Sequence, residues 1–197
     1  QSSGFDELKK QVMWFGVSIV IMLVIMLVDY DVWAKLSPVF YGISIILLIA
    51  VLFTKARNGA SSWFKIGAFT LQPGELAKVA VILFTSSTIV KVQERGKFEI
   101  NVFWKLCVTL LTVIFPVFLI ILQPDYGTAA AYLVSLVLML YVSGIDKKYI
   151  IVASILVVVA LPLAYFFVLP NHAKTRIDIF LNPESDPKGA GYNVLQS

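Results

Sequence analysis

The chain has 197 residues, of which 59% are hydrophobic and 14% are charged, and its formal net charge is +4 at pH 7. An ordinary soluble domain has about 25% charged residues, so this composition excludes a soluble fold that hides its apolar residues in a single core. The small positive charge is typical of membrane proteins with basic loops, and no basic cluster predicts a surface for nucleic acid.

The apolar residues fall into six blocks, each close to the roughly 20 residues that a helix needs to cross the hydrocarbon core of a bilayer. The blocks are 12–28, 36–53, 76–92, 104–122, 128–145 and 149–169. Backbone groups in lipid must be satisfied within the segment, and the alternation of barrel strands is missing. We therefore predict an all-α fold, a polytopic helical transmembrane bundle in which residues 1–197 form a single domain with six spans.

The two ends of the chain look like cuts. The chain begins at Gln1 without an initiator methionine, and it stops at Ser197 inside a polar segment. We therefore expect an excerpt of a longer protein. Its one cysteine, Cys107, lies inside an apolar block, where a small buried thiol is the usual explanation.

Successive spans place the connectors alternately on two sides of the membrane. One side has 29–35, 91–101 and 146–148, and the other has the amino-terminal segment, 54–74, 123–127 and the tail from 170 onward. Seven Lys and Arg residues lie on the first side and eight on the second. Because the positive-inside rule needs a clear excess on one side, these charges leave the orientation open.

The second side contains a turn, Gln72 to Lys78, in which Gln-Pro precedes a carboxylate. Its proline and glycine predict the start of a helix, and Glu75 and Lys78 share one face of the first turns. Glu75 can complement the helix dipole, while Lys78 pairs with it or extends to the membrane surface. Ionisable groups in a span also often line a protein interior or a water-filled cavity, so a functional role is equally open.

A second turn of this kind, Gln123 to Thr128, is so short that the spans on either side must be adjacent antiparallel neighbours. Asp125 then lies at the mouth between them. An N-cap or Asx-turn role is the simpler interpretation of Asp125, and the repeated Gln-Pro-carboxylate pattern favours a functional one. The tail 172–197 interleaves charges with aliphatic residues and predicts a loop that folds back onto the bundle. His172 is given no metal or catalytic role.

Several motifs occur in the order found in one bacterial protein family, over about three quarters of the chain. They are Asn58-Gly59-Ala60, Trp63, Gln72-Pro73 with Glu75 and Lys78, Gln123-Pro124-Asp125 with Gly127, and Arg176 followed by Phe180 to Pro187 and by Gly191-Tyr192 through Gln196-Ser197. With these motifs the chain resembles the SEDS family, the shape, elongation, division and sporulation proteins. The resemblance implies a fold of ten spans, of which this chain has spans two to seven. It also implies that the side with Glu75 and Asp125 is extracellular, and that 170–197 begins a large extracellular loop.

Within the family, Pro183-Glu184 followed by Asp186-Pro187 is more similar to the elongation branch, RodA, than to the division branch, FtsW. Two positions depart from the family pattern, because Gly74 stands where Ser is frequent and Tyr126 where Leu is frequent. Ser62 stands where many division members have Arg, so no role of that arginine is carried over.

The resemblance implies a peptidoglycan glycosyltransferase that polymerises lipid II into glycan strands during cell-wall elongation and the maintenance of cell shape. A sugar hydroxyl must lose its proton as it attacks an anomeric carbon, and the departing lipid pyrophosphate needs cationic stabilisation. The candidate residues of the substrate cavity, for support, orientation and phosphate contact, are Glu75, Lys78, Asp125 and Arg176. The resemblance places the catalytic base beyond Ser197, so we expect residues 1–197 alone to be inactive.

The resemblance further implies a multi-pass protein of the bacterial cytoplasmic membrane whose partners are membrane lipids, lipid II and a class B penicillin-binding transpeptidase. The sequence shows no cofactor or metal motif, and a divalent cation is implied by the resemblance alone. Two other functions stay open, a flippase or transporter of the lipid-linked precursor and a membrane scaffold for the transpeptidase. A transporter favours charged sites near the midplane, whereas Glu75 and Asp125 lie at span ends.

Overall fold

The computed structural model describes residues 4–54, 62–66, 69–163, 166 and 174–175. Six α-helices run through this part of the chain, and a two-stranded antiparallel sheet lies between the second and the third. The elements are α1 Gly4–Met26, α2 Tyr30–Leu52, β1 Phe64–Ile66, β2 Phe69–Leu71, α3 Pro73–Val92, α4 Phe103–Ile121, α5 Tyr126–Ser143 and α6 Lys147–Leu163. Two short 3₁₀ helices, Gln93–Arg95 and Lys97–Asn101, connect α3 to α4.

Among the described residues, four helices are long and apolar enough to cross a membrane. They are Leu8–Met26 within α1, Tyr30–Leu52, Phe103–Ile121 and Tyr126–Ser143. The predicted class, a helical chain with several segments of spanning length, is therefore confirmed. α3 contains three charged residues, Glu75, Lys78 and Lys91, which lower its hydropathy. Six crossings with the predicted bounds stay a prediction, and the end of the block 149–169 lies largely outside the described residues.

One connector departs from the helical pattern. β1 and β2 pair with Phe64 opposite Leu71 and Ile66 opposite Phe69. Aromatic and β-branched side chains fit a pleated surface well, and the pairing lets backbone groups satisfy each other outside the helices. The sequence interpretation treats 54–74 only as a connector between spans, and it does not predict this hairpin.

α3 is the central helix of the described bundle, where it packs against α2, α4 and α5. Its buried residues Ala77, Val81, Thr85 and Ile89 recur every four positions and form one stripe. The hydroxyls of Thr85 and of Thr112 in α4 share a buried hydrogen bond of 2.8 Å. Small and polar residues of this kind let membrane helices approach closely and bond to each other. The middle of α3 is thereby held against α4.

The outer surface of the bundle includes α1 and part of α4. In α1, none of the residues from Leu8 to Met26 is buried. Cys107 of α4 is also exposed, although Leu106 and Thr109 beside it are buried. The interpretation of Cys107 as a buried thiol is therefore wrong. An apolar block that crosses a bilayer has one face toward protein and one toward lipid, and hydropathy does not tell these faces apart.

Besides the bond of Thr85 to Thr112, polar contacts between elements occur at two ends of the bundle. The Gln72 end is defined here as residues 62–78 and 123–132, and the Gln93 end as residues 93–105 and 143–149. At the Gln93 end, the amide of Gln93 donates to the carbonyl oxygens of Lys97 and Ser143 at 2.7 and 2.8 Å. The grouping matches the two sides that the sequence assigns to these connectors.

Candidate functional site

The first charged pair of the Gln72 end lies at the start of α3. Pro73 occupies the first helical position, where its missing N–H costs nothing. Lys78 Nζ then donates to both carboxylate oxygens of Glu75, at 3.0 and 2.9 Å. The interpretation of Glu75 and Lys78 as partners in the first turns is confirmed. Because the Glu75 side chain is 55% exposed, the pair contributes at most about 1 kcal/mol to stability, and both charges stay accessible.

Asp125 precedes α5 and caps it. Its Oδ1 accepts a hydrogen bond of 3.2 Å from the backbone N–H of Thr128, so the N-cap interpretation is confirmed. Its Oδ2 accepts a second hydrogen bond, of 2.6 Å, from the side-chain amide of Gln72. The carboxylate of Asp125 therefore connects the start of α3 to the start of α5.

Two further contacts fix these helix starts against each other. The hydroxyl of Tyr132, a residue that is 1% exposed, donates to the carbonyl oxygen of Gly74 at 2.7 Å. A Cβ atom added at Gly74 would lie 3.2 Å from the Cγ2 atom of Thr128. The glycine thus permits a close approach of α3 to α5, at one of the two positions that depart from the family pattern.

The turn before Asp125 is anchored on both sides by buried polar residues. The hydroxyl of Ser62 donates to the carbonyl oxygen of Gln123 at 3.3 Å, and the side-chain amide of Gln123 donates to the carbonyl oxygen of Leu48 at 3.2 Å. Ser62 and Gln123 are each 1% exposed. Since buried polar groups are costly unless they are bonded, these contacts fix the turn to α2 and to the segment before β1.

The structure brings three of the four candidate residues to one end of the bundle. Glu75 pairs with Lys78, and Asp125 bonds to Gln72 and caps α5. Among the described residues, Asp125 forms no ion pair, and the side chains of Glu75 and Lys78 bond only to each other. Arg176 lies outside the described residues.

Sequence reasoning missed three residues of this site, Gln72, Thr128 and Tyr132. A signal was available for two of them, because Thr128 and Tyr132 follow Asp125 at a spacing that places them on one face of α5. Gln72 belongs to the repeated Gln-Pro-carboxylate pattern, but its bond to Asp125 could not be predicted because the two residues lie 53 positions apart in the chain.

A metal centre is not built from the described residues. No group of three or more His, Cys, Asp or Glu side chains comes together among them. The divalent cation that the family resemblance implies therefore has no fitting set of ligands in this part of the chain.

The chain matches a known protein family over its whole length. The model of the cell cycle protein family FtsW/RodA/SpoVE matches residues 1–197. The peptidoglycan glycosyltransferase MrdB of Escherichia coli (strain K12) is 32% identical over 205 residues, which cover 100% of this chain and 52% of that protein. A probable peptidoglycan glycosyltransferase FtsW of Geobacter metallireducens is 34% identical over 198 residues, which cover 98% of this chain and 51% of that protein.

A solved structure shows the same fold. It concerns the structural coordination of polymerization and crosslinking by a peptidoglycan synthase complex, and it matches with a TM-score of 0.76 at 27% identity over 99% of this chain and 57% of that chain. Fold and site define a helical membrane protein with carboxylates and a lysine at one end of its bundle. The chain belongs to the SEDS family of FtsW, RodA and SpoVE proteins. It spans about half the length of the curated relatives that it matches.

Proposed function

We propose that the native polypeptide containing this chain is a peptidoglycan glycosyltransferase of the bacterial cytoplasmic membrane, which polymerises lipid II into glycan strands. Family membership supports the proposal, since both relatives named above are called peptidoglycan glycosyltransferases. The observation that carries it is the Gln72 end, where the carboxylate of Asp125 joins two helices at the same end as the accessible pair of Glu75 and Lys78. A lipid-linked sugar needs polar groups at such a place, because its sugar and pyrophosphate lie at the membrane surface while its lipid stays in the bilayer.

The proposed reaction joins the hydroxyl oxygen of one sugar to the anomeric carbon of another. The bond from that carbon to the lipid pyrophosphate breaks, and the hydroxyl proton passes to a carboxylate base. Lys78 is proposed to contact the pyrophosphate as a point charge, and Arg176 to bind phosphate oxygens through its planar fork. Glu75 positions Lys78, and Asp125 orients the substrate. None of these residues is proposed as the base, which the family resemblance assigns to a later loop.

The branch and the partner are part of the proposal. Pro183-Glu184 and Asp186-Pro187 support a role in elongation, whereas overall identity favours no branch, since MrdB and FtsW are 32% and 34% identical to the chain. A class B penicillin-binding transpeptidase is the proposed partner. The similar structure of a synthase complex that coordinates polymerization and crosslinking supports this choice.

The positions of the charges favour polymerisation over transport of the same precursor. A transporter concentrates its charged sites near the midplane of the membrane. Here Glu75 lies in the first turn of α3, and Asp125 precedes α5. Both carboxylates therefore lie at the starts of their helices and not in the middle, as a reaction at the membrane surface requires.

The proposal is tested with the native polypeptide in detergent, incubated with lipid II and a divalent cation, with the products resolved on a gel. Glu75→Gln and Asp125→Asn keep the size of each side chain and remove its charge. We expect each to slow polymerisation at least about tenfold, which is roughly 1.4 kcal/mol of transition-state stabilisation, while insertion into the membrane is unchanged.

Matched controls come from the Gln93 end, where Glu94 and Asp146 are carboxylates without a proposed role. Glu94→Gln and Asp146→Asn should polymerise lipid II at the rate of the wild type. Full activity of both Glu75→Gln and Asp125→Asn would limit these two residues to helix stability. A wild-type protein that moves lipid II across vesicle membranes but forms no strands would favour the transporter.

A further inference from the structure

The side chain of Gln72 bonds to the start of the neighbouring helix and not to its own helix. It occupies the N-cap position of α3 with an extended backbone, yet its side chain caps no N–H group of that helix. The amide instead donates to Asp125 Oδ2 at 2.6 Å and lies 3.4 Å from the hydroxyl of Thr128. The side chain of Gln72 therefore contributes no cap to α3 and bonds to the start of α5 instead.

The effect of this contact is to fix the orientation of one carboxylate. The terminal torsion of an aspartate side chain is broad, so a single hydrogen bond to the backbone N–H of Thr128 leaves the second oxygen free to turn. The amide of Gln72 holds that second oxygen. We propose that Gln72 is a positioning residue, which orients the carboxylate of Asp125 toward the substrate.

The choice of an amide keeps the negative charge of Asp125. A lysine or arginine at position 72 would also hold the oxygen, but it would form an ion pair and neutralise the carboxylate. Gln72 donates a hydrogen bond and carries no charge, so Asp125 can still attract a hydroxyl or a cationic group of the substrate. Glu75 shows the other arrangement, because its carboxylate is paired with Lys78.

The donor itself is held in place by the packing of α3 on α5. Pro73, which follows Gln72, has its φ angle fixed by its ring. The buried bond from Tyr132 to the carbonyl oxygen of Gly74 ties the first turn of α3 to α5. The amide and the carboxylate therefore belong to two helix starts that do not move independently. A positioning role needs this kind of support, since a displacement of about 1 Å costs on the order of 10² in rate.

The inference rests on the proposed function, and its test measures lipid II polymerisation between about pH 5 and pH 8. Gln72→Glu puts a second carboxyl within hydrogen-bonding distance of Asp125, and two such groups share one proton at low pH and repel each other at high pH. The ratio of variant to wild-type kcat should therefore fall at least about tenfold from the acid to the neutral end. Glu75, Lys78 and Tyr132 lie at the same end, so the same pH series on Gln72→Ala separates the effect of the new carboxyl from theirs.

Gln72→Ala completes the test, because it has no carboxyl to titrate. It should lower kcat about equally at every pH, and its melting temperature should fall because a part-buried hydrogen bond to a carboxylate is lost, so kcat is measured well below that temperature. In an Asp125→Asn background the same substitution should cause no further loss, since coupled residues are not additive. Gln93→Ala, which removes a similar amide from the Gln93 end, is the matched control and should leave kcat unchanged.

The possible results of these measurements separate the positioning role of Gln72 from the proposed function of the protein. A pH-independent ratio for Gln72→Glu, or additive losses in the double variant, would overturn the positioning role while leaving the proposed function intact. Should Gln72→Glu fail to fold, the cycle of Gln72→Ala with Asp125→Asn decides alone. A wild-type protein that forms no glycan at any pH would overturn the proposed function, and with it this role for Gln72.

Discussion

Hydrogen bonds join neighbouring elements at both ends of the bundle, but the groups that form these bonds differ between the two ends. At the Gln93 end, neutral groups bridge the elements, as when the side-chain oxygen of Asn101 accepts a hydrogen bond of 2.8 Å from the backbone N–H of Asp146. The charged residues of this end pair locally, Lys105 with Glu99 and Lys148 with Asp146. At the Gln72 end, neutral bonds such as that of Tyr132 to Gly74 are joined by one bridge whose acceptor is a carboxylate, Asp125.

The difference separates structural need from functional chemistry. A turn between helices needs only neutral hydrogen bonds, as the Gln93 end shows, and an asparagine caps a helix as well as an aspartate does. The negative charge of Asp125, held by a neutral amide, is therefore more than the fold requires. Surplus charge of this kind at one end of a membrane bundle favours a site for a polar substrate.

The largest expected effect concerns the sides of the membrane on which the two ends lie. In a Cys107→Ser background, which removes an exposed thiol, Thr70→Cys labels the hairpin and Glu94→Cys labels the first 3₁₀ helix. Both positions are exposed. An impermeant thiol reagent added to intact cells should label Thr70→Cys fully and leave Glu94→Cys at background, because the family resemblance places the Gln72 end outside.

Permeabilised cells provide the control, since both cysteines should then react. The reverse pattern in intact cells would invert the orientation. Equal labelling of both positions in intact cells would place the two ends on the same side of the membrane and would contradict the predicted topology.

A smaller effect is expected for two tyrosines that make the same bond at opposite ends. Tyr132 donates to the carbonyl oxygen of Gly74 at 2.7 Å from a fully buried position, and Tyr149 donates to that of Asn101 at 3.2 Å from a partly buried one. By thermal unfolding in detergent, Tyr132→Phe should lower the free energy of unfolding by about 1.5 kcal/mol and Tyr149→Phe by about 0.5 kcal/mol. Equal losses would show that the Gln72 end is not the more tightly held of the two.

Local features of the molecule were predictable from the sequence. Asp125 as the N-cap of α5 and the pairing of Glu75 with Lys78 each involve residues three positions apart, and helix geometry alone places such residues together. The apolar blocks likewise predicted helices, because only a helix satisfies its own backbone within lipid.

Contacts between distant segments were not predictable. The bond from Gln72 to Asp125 joins residues 53 positions apart, and the bond from Tyr132 to Gly74 joins residues 58 positions apart. Both depend on how α3 and α5 dock, which periodicity does not specify. The exposed face of Cys107 was missed for the same reason, since a block that is apolar all round does not show which side meets lipid.

The smallest effect is expected from the surface charges of the Gln93 end. The hydrogen bond and charge of Lys105 hold the pKa of Glu99 below its ordinary value of 4.5. A carboxyl whose pKa is lower in the folded state stabilises the fold above its unfolded pKa, and this contribution is lost as the pH falls through the folded value. Glu99→Gln should therefore reduce stability near neutral pH and match the wild type in acid, with a difference that salt diminishes because the pair is partly exposed. Thermal unfolding from about pH 3 to pH 7 measures this, with Glu94→Gln as the control that removes a nearby charge without removing the contact to Lys105. A stability difference between Glu99→Gln and wild type that is constant at all pH values would mean that the side chain contributes through packing. The ion pair of Glu99 with Lys105 would then contribute nothing to the stability of the Gln93 end.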